Sequence, residues 1–482
     1  MDPIAYEQSR AITRRHFLNR CNSGVGAIAL SQLLGQAVAA KSDDPLSGAV
    51  SALAPKAKSV IYLHMAGSPP VLDMFDYKPE LKKYNMQPCP KEFFEGKQLA
   101  FTKGHPNLLG SPYEFHKHGE TGTPLCELFE HFGSVIDDVA LVKSMYTDQF
   151  NHAPAQLLLY TGSANFGAAS MGAWATYGLG SENQNLPGYV VLLSGGSDPS
   201  GGKTLWGSGF LPSVYQGVQC RSVGEPILYV NNPKGMTRQV RRRSLNALKR
   251  LNELELQEFG DPETLSRINQ FELAYRMQIA VPEVMDIRQE PESIRKLYGA
   301  EPGKASFANN CLLARRLVEQ GTRYVQLFDY GWDIHGTGPG DDLMNRFPQK
   351  MRDVDRPMTA LIKDLKQRGL LDETLVVWGG EFGRTSMNEA RGGSKYLGRD
   401  HHPGCFTIWM AGGGIKPGVR YGATDPLGYN VVENKMHVHD LQATILHLLG
   451  MDAHRLSYPF QGLNQRLIGP ADGPKVHHGL IA

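Results

Sequence analysis

The chain has few cysteines, little excess charge and no long apolar run, and each shortage excludes a class of protein. Six cysteines occur in 482 residues, none in a CxxC pair. Cys21 lies near the N-terminus; Cys89, Cys126, Cys220, Cys311 and Cys405 are an odd, widely spaced set. No zinc-thiolate site or disulfide framework follows from that spacing, although one bridge stays open for a chain outside the cytoplasm. Charge is balanced, with 50 Lys and Arg against 48 Asp and Glu. The small excess sits in the first forty residues, where Arg10, Arg14, Arg15 and Arg20 face only Asp2 and Glu7, so the remainder is formally neutral and offers nucleic acid no basic surface. The apolar stretch from Gly24 to Gly35 is shorter than the roughly 20 residues that span a bilayer and is broken by Ser31 and Gln32. No permanent membrane span is expected, an uncleaved anchor being the alternative.

The same forty residues read as an export signal of the twin-arginine type. Thr13-Arg14-Arg15-His16-Phe17-Leu18 precedes the Gly/Ala-rich apolar stretch, and Ala37-Val38-Ala39-Ala40 follows with the small residues suited to cleavage. The expected organisation is a signal peptide over 1–40, a linker over 41–58 and one α/β domain over 59–482. The twin-arginine translocation machinery becomes a partner and the periplasm, or another exported location, the destination.

Beyond the linker, apolar segments alternate with loops. Ser59 to His64 reads as a buried strand stopped by Gly67-Ser68-Pro69-Pro70. From Gln239 to Leu273 charged residues interleave with leucines at helical spacing, and Asp261-Pro262 supplies an N-cap and a first-turn proline, which predicts a helical hairpin within an insertion at about 236–300. The last third repeats helix, strand and loop: a helix near Leu312 to Val318, a strand from Tyr324 to Phe328, then a helix carrying Met358, Leu361, Ile362 and Leu365 before a strand from Thr374 to Trp378. That alternation predicts a mostly parallel sheet with helices on both faces, with ligands gathering at the carboxyl ends of its strands.

The polar clusters fall at those ends. Asp333 and His335 follow one strand, Glu381 and Arg384 the next, then come Asp400-His401-His402-Pro403 and His437-Val438-His439-Asp440. Carboxylates with imidazoles form the ligand set of divalent ions such as Zn, Mn, Ca or Mg. Taken singly each residue has a structural reading. Asp440 precedes an apolar helix and makes an N-cap; Glu381 and Arg384 make an internal ion pair. Adjacent side chains diverge in extended backbone, so one of His401 and His402 faces a given ion, and His402, beside Pro403, is the one expected. Asn151-His152-Ala153-Pro154 enters a helix N-terminus, a natural anion site.

These residues resemble the alkaline phosphatase and sulfatase superfamily. His152-Ala-Pro154-Ala155-Gln156 with Thr161-Gly162 keeps the spacing of the sulfatase nucleophile motif, and Asp333/His335, Glu381-Phe-Gly383 and His402 before Phe406 look like three ligand loops of alkaline phosphatases in the same order. A narrower resemblance, to the exported sulfatase-related family catalogued as domain of unknown function 1501, rests on Asp73-Met-Phe-Asp76-Tyr-Lys78-Pro79, Asn151-His-Ala-Pro-Ala-Gln156, Met171-Gly-Ala-Trp174, Trp332-Asp-Ile-His335-Gly, Gly380-Glu-Phe-Gly-Arg384-Thr and Gly398-Arg-Asp-His-His-Pro403. The resemblance implies an alkaline phosphatase-like fold and a metal-dependent hydrolase acting on a phosphate or sulfate ester of a small molecule or glycan.

It further implies metal ligands among Asp73, Asp333, His335, Glu381, Asp400, His401, His402 and His439, with His152 as general acid or nucleophile and Arg384 as anion clamp. Two departures matter. His152 and Gln156 replace the hydroxyl or cysteine nucleophile and the arginine of the motif, so the usual covalent intermediate has no hydroxyl to form on. His64 stands where the superfamily presents an Asp, leaving Asp73 or Asp76 to replace it, or one ion where two are usual. The first departure keeps a second expectation alive: a non-catalytic relative that binds a sulfated or phosphorylated glycan, or a partner protein.

Overall fold

The computed structural model describes residues 53–482 apart from residues 94, 96–98, 229–230 and 261. The signal, most of the linker and the Asp261 cap lie outside the described residues.

The strands of the main sheet are β1 (Ser59–Ala66), β2 (Val139–Tyr146), β3 (Tyr189–Ser194), β4 (Val218–Cys220), β5 (Tyr324–Tyr330), β6 (Thr374–Gly379), β7 (Phe406–Ala411), β8 (Arg420–Tyr421) and β9 (Met436–His437). They lie in the order β8-β2-β7-β6-β1-β5-β3-β4, with β9 also on β2. Every pairing is parallel except the two made by β7. The chain is therefore an α/β protein with a mostly parallel sheet.

Period-two alternation fills both faces. Ile61, Leu63 and Met65 of β1 pack into the layer built on α6 (Phe307–Glu319) and α7 (Arg346–Gln367). Val60 and Tyr62 point into the other layer, built on α1 (His152–Thr161), α2 (Met171–Leu179) and α8 (Val438–Leu448). The expected hairpin is α3 (Arg238–Phe259) followed by α4 (Pro262–Met285), and α5 (Glu292–Tyr298) leads on to α6. The five described cysteines are buried, and among the described residues no helix is long and apolar enough to cross a membrane.

This topology gathers the polar loops on one edge. β1, β5 and β6 run side by side, with His64 in register with Gly379 and Ala66 with Tyr330, so the loops after all three emerge together. Because β7 runs the other way, the residues before it, His401 and His402, arrive at that same edge. They form a two-residue ribbon with Gly383 and Arg384.

Candidate metal centre

Gly67, Asp333 and Glu381 are brought together by a close backbone approach. Gly67 has φ +107°, and a Cβ there would lie 2.5 Å from the Asp333 nitrogen, so only glycine fits. Its N–H donates to Glu381 Oε1 at 3.1 Å. The same oxygen accepts from His152 Nδ1 at 2.6 Å and Gln156 Nε2 at 3.1 Å, while Oε2 lies 3.3 Å from His64 Nε2. Glu381 and His64 are fully buried. Burial alone would raise the Glu381 carboxyl, but His152 and His64 outweigh it and hold the group well below the usual carboxylate range.

Three imidazoles converge on one oxygen of Asp333. The Nε2 atoms of His335, His152 and His401 lie 2.8, 3.3 and 3.3 Å from Asp333 Oδ1. Each ring presents its Nδ1 to an acceptor: His152 to Glu381, His335 to Glu389, and His401 to the Phe150 carbonyl at 2.7 Å. A carbonyl can only accept, so His401 carries its proton on Nδ1 and aims the Nε2 lone pair at Asp333; the carboxylates set the other two rings the same way. Neutral rings so oriented would point three lone pairs at a carboxylate, an arrangement that requires positive charge between them.

The titration shifts describe that demand. Burial opposes a charge on His152, but the carboxylates of Asp333 and Glu381 prevail and raise it to about 9. His335 is raised in the same way by Asp333 and Glu389. Burial, helped by Arg384 and His152, lowers His401 to about 4, so it stays neutral. Asp333 is held far below its ordinary range, its burial outweighed by Arg384 and the three rings.

A divalent ion fits this donor set. His152 Nε2 is buried and, although Asp333 Oδ1 lies 3.3 Å away, makes no well-aligned hydrogen bond, and ligand atoms of His152, Asp333 and His401 lie within 4.8 Å of one another. Nδ1 donation to a carboxylate or carbonyl is the support that orients metal-binding histidines. The Asp333 side chain is 38% exposed, which leaves the cluster open on one side.

Several expected site residues have other employment. Both oxygens of buried Asp73 are taken by Arg399, at 2.7 and 2.9 Å, so Asp73 does not reach the cluster. Of the adjacent histidines it is His401 that faces Asp333; His402 turns to the Tyr429 carbonyl, 2.6 Å away, and stacks on that ring. His439 lies 3.1 Å from the Gly162 carbonyl, and Asp440 closes a capping box on α8 with His437. Asp400 keeps a place in a second candidate group, with ligand atoms of His335, Glu389 and Asp400 within 4.8 Å of one another, while its Oδ2 accepts from the backbone of Phe101 and Thr102, both at 2.7 Å, which fixes that loop over the site with the Phe101 ring against His335 and His401. Arg384, fully buried, donates to the carbonyls of Gly67, Ser68 and Arg399 and to Asp333. Its guanidinium holds loops together and is not left to clamp a substrate. The cation at the rim is Arg391, 41% exposed, set over Phe101 and bonded to Glu389 at 2.6 Å. Neither Glu389 nor Arg391 lies in a segment with a recognisable pattern.

The fold and this cluster define an α/β protein with a candidate divalent-metal centre at its strand ends. The chain belongs to the family described as protein of unknown function (DUF1501), whose model matches residues 57–480. No curated protein matches it. Among solved structures it is similar to the PsFucS1 sulfatase from Pseudoalteromonas sp., at 12% identity over 87% of this chain and 73% of that one, with a TM-score of 0.35. It is also similar to the lipoteichoic acid synthase LtaP from Listeria monocytogenes, at 10% identity, 87% and 79% coverage and a TM-score of 0.33. The alkaline phosphatase from the Antarctic bacterium TAB5 shows 10% identity, 74% and 92% coverage and a TM-score of 0.28.

Proposed function

We propose that this protein is a divalent-metal-dependent hydrolase that acts outside the cytoplasm on a phosphate or sulfate ester, or a related bond, of an anionic small molecule or glycan. The observation that carries the reading is the convergence of three oriented Nε2 atoms on Asp333 Oδ1. His152, Asp333 and His401 would hold the ion, with His335 completing the set. Bound there, such an ion supplies Lewis acidity, as charge against a substrate oxyanion and an acidified water.

The chain's own residues do the rest. Glu381 and Glu389 fix the tautomers of His152 and His335. Arg391 presents positive charge at the rim, and Phe101 covers two of the rings. His152 spends its Nε2 on the cluster, which replaces its expected role as acid or nucleophile with that of ligand. The proposed location outside the cytoplasm is supported by the Arg14-Arg15 signal.

The absence of a hydroxyl at position 152 favours a second reading, a non-catalytic binder of a sulfated or phosphorylated glycan. Elemental analysis, joined to a screen of phosphate and sulfate esters, separates the two. About one divalent ion per chain, lost in Asp333→Ala and His401→Ala, together with turnover that follows the ion, is the expected result. Bound ion without turnover on any ester supports the binder, and a chain that takes up no divalent ion sinks the hydrolase. Recovery of the protein only from the cytoplasmic fraction would remove the location.

A further inference from the structure

The burial and charge of α3 are not explained by the described residues around it. Of its 22 residues only Leu245 and Asn252 are buried. Its packing on α4 runs through Arg242, which bonds Glu272 at 2.8 Å, and through the Tyr275 ring, 4.8 and 4.9 Å from the Arg238 and Arg242 guanidiniums. Another side carries Val240, Ser244, Ala247, Leu251, Leu254 and Glu258, spaced alternately by four and three residues as in a heptad seam. Val240, Leu251 and Leu254 are 47%, 63% and 62% exposed, and Leu248 beside them 41%. On a helix about 33 Å long, such a stripe, left uncovered by the described residues, has the character of an interaction face.

The charges select the occupant. Arg238, Arg241, Arg242 and Arg243 crowd the first turns, and Glu253, Glu255 and Glu258 the last; the first turn has no acid and the last no base. That is the reverse of what the helix dipole favours, so both ends of an isolated α3 are disfavoured. A second α3 laid antiparallel corrects both ends, because each arginine end then lies over a glutamate end, and a twofold axis makes the match twice.

We propose that α3 pairs antiparallel with α3 of a second copy of this chain, forming a twofold dimer. With the axis near Leu248, the two Leu248 side chains meet, Arg241 faces the second copy's Glu255, and Ala247 packs against its Leu251. The metal centre plays no part in this surface.

Sedimentation of the purified full chain tests it. A dimer is expected, becoming a monomer with unchanged helix content in the double variant Leu251→Glu, Leu254→Glu, whose positions are exposed and leave the fold alone. Arg241→Glu should weaken the dimer about tenfold through its two symmetry-related contacts, and adding Glu255→Arg should restore it. Oxidation should cross-link Leu248→Cys but not Val240→Cys, since only residues near an antiparallel axis meet their own copies. A monomeric parent chain, a dimer that survives both glutamates, or equal cross-linking at the two positions would overturn the proposal.

Discussion

At the scale of single residues, Glu381 is placed to orient a candidate metal ligand, His152. One oxygen accepts from Gly67, Gln156 and His152, so its contribution is to fix the His152 proton on Nδ1 and release Nε2. Glu381→Gln preserves the shape but weakens that acceptor and places an amide beside His64. Loss of such an orienting partner lowers metal affinity by about 10–100-fold. Competition against a chelating dye reads this directly, and an unchanged dissociation constant in a folded variant would remove Glu381 from the positioning role.

At the scale of elements, the segment carrying Glu290, between α4 and α5, is tied to α6 and α7 by an ion network. Arg315 of α6, fully buried, bonds Glu290 at 2.6 Å and Asp364 of α7 at 2.9 Å, and Arg316 also bonds Glu290. Burial pushes the Glu290 carboxyl up, but the two arginines prevail and hold it below its ordinary 4.5. A depressed carboxyl stabilises the fold fully above that ordinary value and loses the effect as pH falls through the lowered one. Glu290→Gln is therefore expected to cost about 2 kcal/mol at pH 7, with the gap to the parent closing as the pH is taken well below the ordinary carboxyl value and through the lowered one. Urea unfolding at neutral pH and in that acid range measures it; an equal gap at both would mean that ionisation is not what Glu290 contributes. These elements were also the most legible in the sequence. The strand pattern from Ser59, the leucines of α3 and the repeat around β5 and β6 follow from apolar spacing, which the backbone period dictates locally. The site was half legible, because loop residues such as Asp333 and His335 announce themselves by type and place. What spacing could not show is which side chain another residue consumes: Asp73 by Arg399, His402 by Tyr429, Arg384 by three carbonyls. Those partners are distant in sequence, as Glu389 is from His335, and only the packed sheet edge brings them together.

At the scale of the molecule, the loops of β1, β5 and β6 and the residues before β7 meet at Asp333 and Arg384, so the ionic state of one cluster bears on the whole sheet edge. Without an ion, a proton on His152 supplies the positive charge, and its pKa is raised to about 9 from the ordinary 6.5. A raised histidine stabilises the fold fully below 6.5 and loses that effect as pH climbs through its folded value. The metal-free protein should thus lose on the order of 3 kcal/mol between about pH 6.5 and 9. An ion replaces the proton and removes the dependence, since its binding to neutral rings strengthens as protons leave. Thermal melts with chelator and with saturating ion are therefore expected to diverge as pH rises across that window, the loaded form holding its Tm while the stripped form falls. A difference between the two forms that stays constant from pH 6 to 9 would mean that ion and proton do not compete for one place, and would detach His152 from the metal centre.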